Sequence, residues 1–170
     1  MRENFKIGFF DSGVGGISVM SYAREEIKNA DYIYYADTDH VPYGKKNPEE
    51  VVRYSEAAVG CLVEHGADIV VVACNTATSM AIDTLRKTFS VPIIGMEPAV
   101  KPASVKHHGE KILVCATPLT IAGEKLHHLI DENYAGCAYP TLAALPELVT
   151  LAENAVFDIP TVTAYLKTVI

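Results

Sequence analysis

Apolar and polar positions alternate along this chain in blocks of two kinds. Residues 6–10 form a short apolar run that stops at Asp11-Ser12-Gly13. Residues 32–36, aromatic and β-branched, stop at Asp37-Thr38-Asp39. Residues 69–72 (Ile-Val-Val-Val) are apolar throughout, the pattern of a strand covered on both faces of a parallel sheet. Residues 91–95 predict a fourth strand. Segments of helical period lie between these runs. Ile17, Met20 and Ile27 share a spacing, with Arg24, Glu25 and Lys28 on the polar side. Asn47-Pro48-Glu49-Glu50 opens the next helix: Asn47 can cap, Pro48 suits the first helical position, and the glutamates complement the positive end of the dipole. Val51, Val52, Ala58, Val59, Leu62 and Val63 supply its apolar face, and Gly66 ends it. A third helix follows Cys74-Asn75-Thr76. This alternation predicts an α/β fold, a doubly wound parallel sheet, in which ligands bind beyond the carboxyl ends of the strands. Asp11-Ser12, the loop 37–44 and Cys74-Asn75-Thr76 are then expected on one rim.

From Glu97-Pro98 onward the pattern restarts. Residues 111–116 predict a strand closed by Thr117-Pro118, residues 120–130 a helix, and 139–154 and 160–170 two more helical stretches. Lys6-Ile7-Gly8-Phe9-Phe10-Asp11-Ser12 is echoed by Lys111-Ile112-Leu113-Val114-Cys115-Ala116-Thr117. The expected organisation is therefore a first domain at 1–97 and part of a second, pseudo-symmetric α/β domain at 98–170. By the same echo, the counterpart of Cys74 falls past Ile170, so the chain is expected to stop in mid-domain.

Charge narrows the range of partners. Fourteen Lys plus Arg against 21 Asp plus Glu leave a net charge of −7, which counts against nucleic acid or an anionic membrane. No apolar run reaches the roughly 18 residues of a spanning helix. The first four residues lead into a strand without a signal-peptide core. The four cysteines, Cys61, Cys74, Cys115 and Cys137, form no CxxC pair. They read as reduced thiols in a cytoplasmic protein.

Cys74 is the foremost chemical candidate. A thiol between a buried strand and a helix feels the helix N-terminus, which favours the thiolate. The N–H groups and hydroxyls of Asn75, Thr76 and Thr78 can hold a small anion beside it; packing is the competing reading. Asp11-Ser12-Gly13-Val14-Gly15-Gly16 is a glycine-rich turn into a helix, without the endings of a phosphate or dinucleotide loop. Its glycines would let the backbone turn sharply, and Asp11 suits a proton partner or an acceptor for a substrate ammonium. A structural turn with a capping aspartate is the alternative. The stretch 37–44 holds Asp37, Asp39 and His40 but no second cluster with ligand spacing, so no metal is expected. His107-His108 and His127-His128 read as solvated surface, and Cys115 and Cys137 as core or loop thiols.

Phe10-Asp11-Ser12-Gly13-Val14-Gly15-Gly16, Asp37-Thr38 with Val41-Pro42-Tyr43-Gly44, Val72-Ala73-Cys74-Asn75-Thr76-Ala77, and 92–98 followed by Ala99 together closely resemble the glutamate racemase family. That family is cofactor-independent and supplies D-glutamate for peptidoglycan. The resemblance implies two pseudo-symmetric domains, each giving one catalytic cysteine, the second in a Gly-Cys-Thr-His motif that these 170 residues do not contain. It implies that Cys74 exchanges the Cα proton with help from Asp11. Asp11, Ser12, Tyr43, Gly44, Asn75 and Thr76 would grip the amino acid, and Thr117 and Glu153 would approach from the second half. It implies glutamate as the small-molecule partner, no cofactor, and room for a homo-oligomer. Racemisation needs a base on one face of Cα and an acid on the other. A lone thiol returns the proton to the side it came from, so this chain by itself is expected to be inactive as a racemase, with slow exchange of hydrogen without inversion as the most it would show. An aspartate racemase relative and a non-catalytic amino-acid-binding or regulatory module are the alternatives.

Overall fold

The computed structural model describes residues 4–107, 109–135 and 138–170. His108, Cys137 and the first three residues, on which readings were made above, lie outside the described residues. Two compact units are present, residues 1–96 and 97–170.

The first unit is a four-stranded parallel sheet in the order β2-β1-β3-β4, built from β1 (Phe5–Asp11), β2 (Ala30–Ala36), β3 (Ile69–Val72) and β4 (Ile93–Gly95). Strand order reverses between β1 and β3, and loops leaving two adjacent strands in opposite directions open a crevice there. Helix α1 (Gly16–Glu26) lies on the face of Phe9 and Tyr32; the Tyr32 hydroxyl donates to the carbonyls of Ala23 and Ile27 at 3.2 and 2.6 Å. Helices α2 (Pro48–Glu64) and α3 (Asn75–Thr88) pack together on the other face. There Leu62 closes over Gly8, where an added Cβ would lie 3.3 Å from Leu62.

Local signals account for most of these boundaries. Asn47 and Glu50 form a reciprocal capping box, with the Glu50 N–H donating to Asn47 Oδ1 at 2.8 Å and the Asn47 N–H to Glu50 Oε2 at 3.1 Å. Gly66 takes φ +85° just past α2, a left-handed conformation that glycine adopts without steric cost. Two expectations need correcting. Of β3, Val70 and Val72 are fully buried, whereas Ile69 and Val71 are only partly covered, so its two faces are not equally sealed. In α1 only Gly16 is buried, and Ile17, with Ile27 just past its end, is about half exposed. Glycine at 16 is required by close approach, because a Cβ there would lie 2.8 Å from Asp11 Cβ and 2.9 Å from Ala73 Cβ. Gly13, Gly15 and Gly16 all stay out of the left-handed region, so no positive φ demands glycine in this turn, and a Cβ at Gly15 would meet Asp11 Oδ1 only at an ordinary 3.9 Å.

The second unit holds a parallel pair, β5 (Leu113–Ala116) and β6 (Thr141–Ala144), with α4 (Val100–Lys106), α5 (Pro118–Ala122), α6 (Glu124–Tyr134), α7 (Pro146–Glu153) and α8 (Ile159–Val169). Its core is Val100, Val114, Leu126, Ile130 and Tyr134. The sequence reading made 139–154 one helical stretch. Instead Thr141-Leu142-Ala143-Ala144 pairs with β5 in register, because the ladder and the burial of Leu142 outweigh the helical preference of two alanines. The helix expected over 120–130 is divided at Gly123, whose extended backbone ends α5 and precedes α6. The echo has a structural counterpart. The Asp37 N–H donates to the Asp11 carbonyl where β2 leaves β1, and the Leu145 N–H donates to the Ala116 carbonyl where β6 leaves β5.

Candidate active site

The carboxyl ends of β1, β2 and β3 bring the three expected segments of the first unit together. β1 ends at Asp11, whose Oδ1 accepts the Gly13 N–H at 2.8 Å, and this fixes the start of the glycine turn. β3 ends two residues before α3, and Cys74 occupies the N-cap between them with extended backbone. Its Sγ lies 3.4 Å from the Ala77 nitrogen, a donor of the first helical turn, and 3.5 Å from Ser12 Oγ. The sulfur–hydroxyl contact therefore spans the β1/β3 reversal, where the crevice of such a sheet lies.

Cys74 is 7% exposed and Asp11 and Ser12 are each 8% exposed. Burial pushes the Cys74 thiol up, and the nearby Asp11 carboxylate pushes it further; the bonds from Ser12 and from the Ala77 N–H pull the other way without reversing the result. The helix N-terminus was expected to favour the thiolate. In the folded protein desolvation wins and the thiol is held protonated, because the bonds from Ser12 and the Ala77 N–H compensate a buried sulfur anion less than burial and Asp11 oppose it.

The residues after Cys74 divide their roles. Asn75 is exposed, and its Nδ2 donates to the Met96 carbonyl at 2.7 Å, fastening the start of α3 to the chain beyond β4. Thr76 is buried. Thr78, expected to hold an anion, donates to the Val72 carbonyl at 3.2 Å and accepts from the Met96 N–H at 3.1 Å, so it ties β3, β4 and α3 together. Tyr43, in a one-turn helix (Tyr43–Lys45) with half-buried Gly44, is 1% exposed. Its hydroxyl donates to Asp37 Oδ2 at 2.6 Å. Burial and this bond raise the phenol far above its ordinary range, and the Cys74 sulfur adds to the effect.

Two residues outside the expected site belong to its frame. Asp37, 6% exposed, receives Tyr43 on one oxygen and meets His40 Nδ1 on the other at 2.7 Å, while the His40 ring stacks on Tyr54 at 3.8 Å. A carboxylate just past the end of an aromatic strand is a visible signal, although the sequence alone also offers it as a metal ligand. Among the described residues no group of three or more His, Cys, Asp or Glu is placed to hold a metal ion. Tyr34 donates to the Gly13 carbonyl at 2.9 Å, and nothing in its strand pattern distinguished it from its neighbours.

In the second unit Thr117 caps α5, donating to Thr120 Oγ1 at 3.0 Å and accepting the Thr120 N–H at 3.2 Å. Glu153 is half-buried at the end of α7. Cys115 is exposed on β5, contrary to its reading as a core or loop thiol, because alternate side chains of a strand face opposite ways and Val114 takes the core side. His127 and His128 are exposed on α6.

A thiol, a hydroxyl and a carboxylate converging at a helix start suit proton transfer at a small anionic substrate. Known proteins point the same way. A glutamate racemase of Lachnospira eligens is 52% identical over 165 residues, covering 95% of this chain and 62% of its own length. The structure of Escherichia coli glutamate racemase in complex with L-glutamate and the activator UDP-MurNAc-Ala superposes with a TM-score of 0.89 at 30% identity, covering 97% of this chain and 64% of that one. Glutamate racemase from Aquifex pyrophilus gives 0.77 at 39% identity, covering 92% and 62%. The chain thus spans a little under two thirds of the length of these relatives. The family model described as Asp/Glu/Hydantoin racemase matches residues 18–170, and the chain belongs to that family.

Proposed function

We propose that this chain carries one proton-handling half of a cofactor-independent glutamate racemase, a cytoplasmic enzyme that interconverts L- and D-glutamate for peptidoglycan synthesis. The observation that carries the reading is the Cys74 sulfur 3.5 Å from Ser12 Oγ at the β1/β3 reversal, with Asp11 alongside. The naming of relatives at about half identity as glutamate racemases supports the substrate.

In this reading Cys74 is the acid or base on one face of Cα. The resting thiol is protonated, so it is ready to deliver a proton. To accept one it must first ionise, and a substrate ammonium against Asp11 offsets the second cause of its raised affinity for the proton. The N–H donors of the first turn of α3, with Ser12, Asn75 and Thr76, face the substrate carboxylate and stabilise charge as the carbanion develops. Tyr43 and Gly44 bound the same rim. Thr117 and Glu153 enter the reading on family resemblance. A second group must serve the opposite face, and the 170 residues lack the Gly-Cys-Thr-His motif that would supply a thiol for it.

The test incubates the chain with each enantiomer of glutamate and of aspartate in D2O, following Cα–H loss by NMR and optical rotation in parallel. Exchange on glutamate without inversion is expected, with about a thousandfold loss in Cys74→Ser. Exchange that survives that substitution, or that favours aspartate, overturns the assignment. Full racemisation by this chain overturns the division of labour.

A further inference from the structure

Tyr34 is not among the residues that meet the proposed substrate, yet its hydroxyl reaches the turn that carries two of them. It donates to the Gly13 carbonyl at 2.9 Å. The N–H of the same residue, Gly13, donates to Asp11 Oδ1 at 2.8 Å. The hydroxyl is also wedged against Gly16, where an added Cβ would stand 2.9 Å from it and 2.8 Å from Asp11 Cβ. A glycine peptide rotates easily, having no Cβ to hinder it. What restrains Gly13 is a pair of hydrogen bonds, one to Tyr34 and one to Asp11.

We propose that Tyr34 is a positioning residue: by holding the Gly13 carbonyl it locks the Asp11-Ser12 turn in register with the Cys74 sulfur. The inference rests on the reading of Cys74 as the proton-handling group, but its geometry stands without a substrate. Tyr34 lies on β2, Asp11 ends β1 and Cys74 follows β3; β2 is already paired with β1 up to Ala36 and Asp11, and the phenol adds a side-chain tie from β2 to the turn that leaves Asp11. Removing the hydroxyl leaves the ring in place and frees the Gly13 peptide. Asp11 then loses its fixed orientation toward Cys74, and water gains access to the turn.

The ionisation of Cys74 reports this directly. The charged group acting on the sulfur is Asp11 at the end of β1; the sulfur in turn raises the Tyr43 phenol, which donates to Asp37. Burial and Asp11 are the two largest influences, and both raise the thiol. The experiment titrates the thiolate absorbance of Cys74 in the full chain, for wild type, Tyr34→Phe and Asp11→Asn, each corrected by the same protein carrying Cys74→Ser. Tyr34→Phe is expected to keep the far-ultraviolet circular dichroism of wild type. It should lower the pH at which Cys74 ionises, in the same direction as Asp11→Asn and by less. Its Cα exchange rate is expected to fall about tenfold with KM little changed, since misplacement of about an ångström costs up to about a hundredfold. An unchanged or raised titration in folded Tyr34→Phe overturns the proposal, as does a loss confined to KM. A wild-type chain that exchanges no Cα hydrogen defeats the racemase reading, while the titration still decides the role of Tyr34.

Discussion

The two units share a strand-turn-helix segment and are completed differently. Each contains a strand, a polar turn and a helix in succession, preceded in the second unit by α4, and in each a second parallel strand leaves the first through the same backbone hydrogen bond. In the first unit β3 and β4 extend the sheet on the other side of β1, and α2 and α3 seal one face. Phe9, Phe10, Leu62, Leu85, Val70 and Val72 are then almost wholly buried. In the second unit, among the described residues, β5 and β6 pair only with each other, and α7 and α8 have no buried residue. The difference shows what a strand-end turn needs in order to become a site. Asp11-Ser12 and Ala116-Thr117 occupy equivalent places, but among the described residues only the first has a neighbouring strand that delivers a sulfur to it.

The comparison breaks first on stability. Leu62→Ala, at 1% exposure under β1, should cost about 2–5 kcal/mol in urea unfolding. Ile159→Ala, at 79% exposure on α8, should stay within about 0.5 kcal/mol. Similar losses at the two sites would mean that Ile159 is packed and not exposed on α8.

The next effect is specific to the first unit. The folded state holds Cys74 protonated above the ordinary thiol value of about 8.5. Between that value and the higher folded one, the unfolded chain has lost a proton that the folded chain keeps, so stability falls as pH rises, by at most about 1.4 kcal/mol per pH unit. Below the ordinary value this group contributes no slope. Urea midpoints from neutral to alkaline pH should decline less steeply in Cys74→Ser than in wild type. Parallel curves would place the sulfur in a wetter setting than the fold indicates.

The smallest effect lies in the second unit. The Tyr134 hydroxyl is buried and, among the described residues, has no hydrogen-bond partner. Tyr134→Phe removes an uncompensated polar group and should leave the thermal midpoint unchanged or raise it, by up to about 1 kcal/mol in stability. A clear loss would reveal a partner for that hydroxyl.

Much of the first unit was legible because its signals are local. The capping box at Asn47 and Glu50, the left-handed stop at Gly66 and the apolar run of β3 each depend on a few adjacent residues. The meeting of Asp11-Ser12 with Cys74 followed from the rule that places ligands at the strand ends of such sheets. Thr141–Ala144 was read as helix because short, alanine-rich segments carry little intrinsic preference, and pairing with β5 decided the outcome.

In the first unit the order of strands and helices, the caps, and the position of a thiol between a strand and a helix were thus set by residues near one another in sequence, where backbone preference and periodicity act alone. Tertiary structure decided which state that thiol adopts, why Gly16 must lack a side chain, and that Tyr34, Asp37 and Tyr43 stand behind the site. Those outcomes depend on desolvation, charge and steric contact between segments that meet only once the sheet has formed, and no local pattern encodes them.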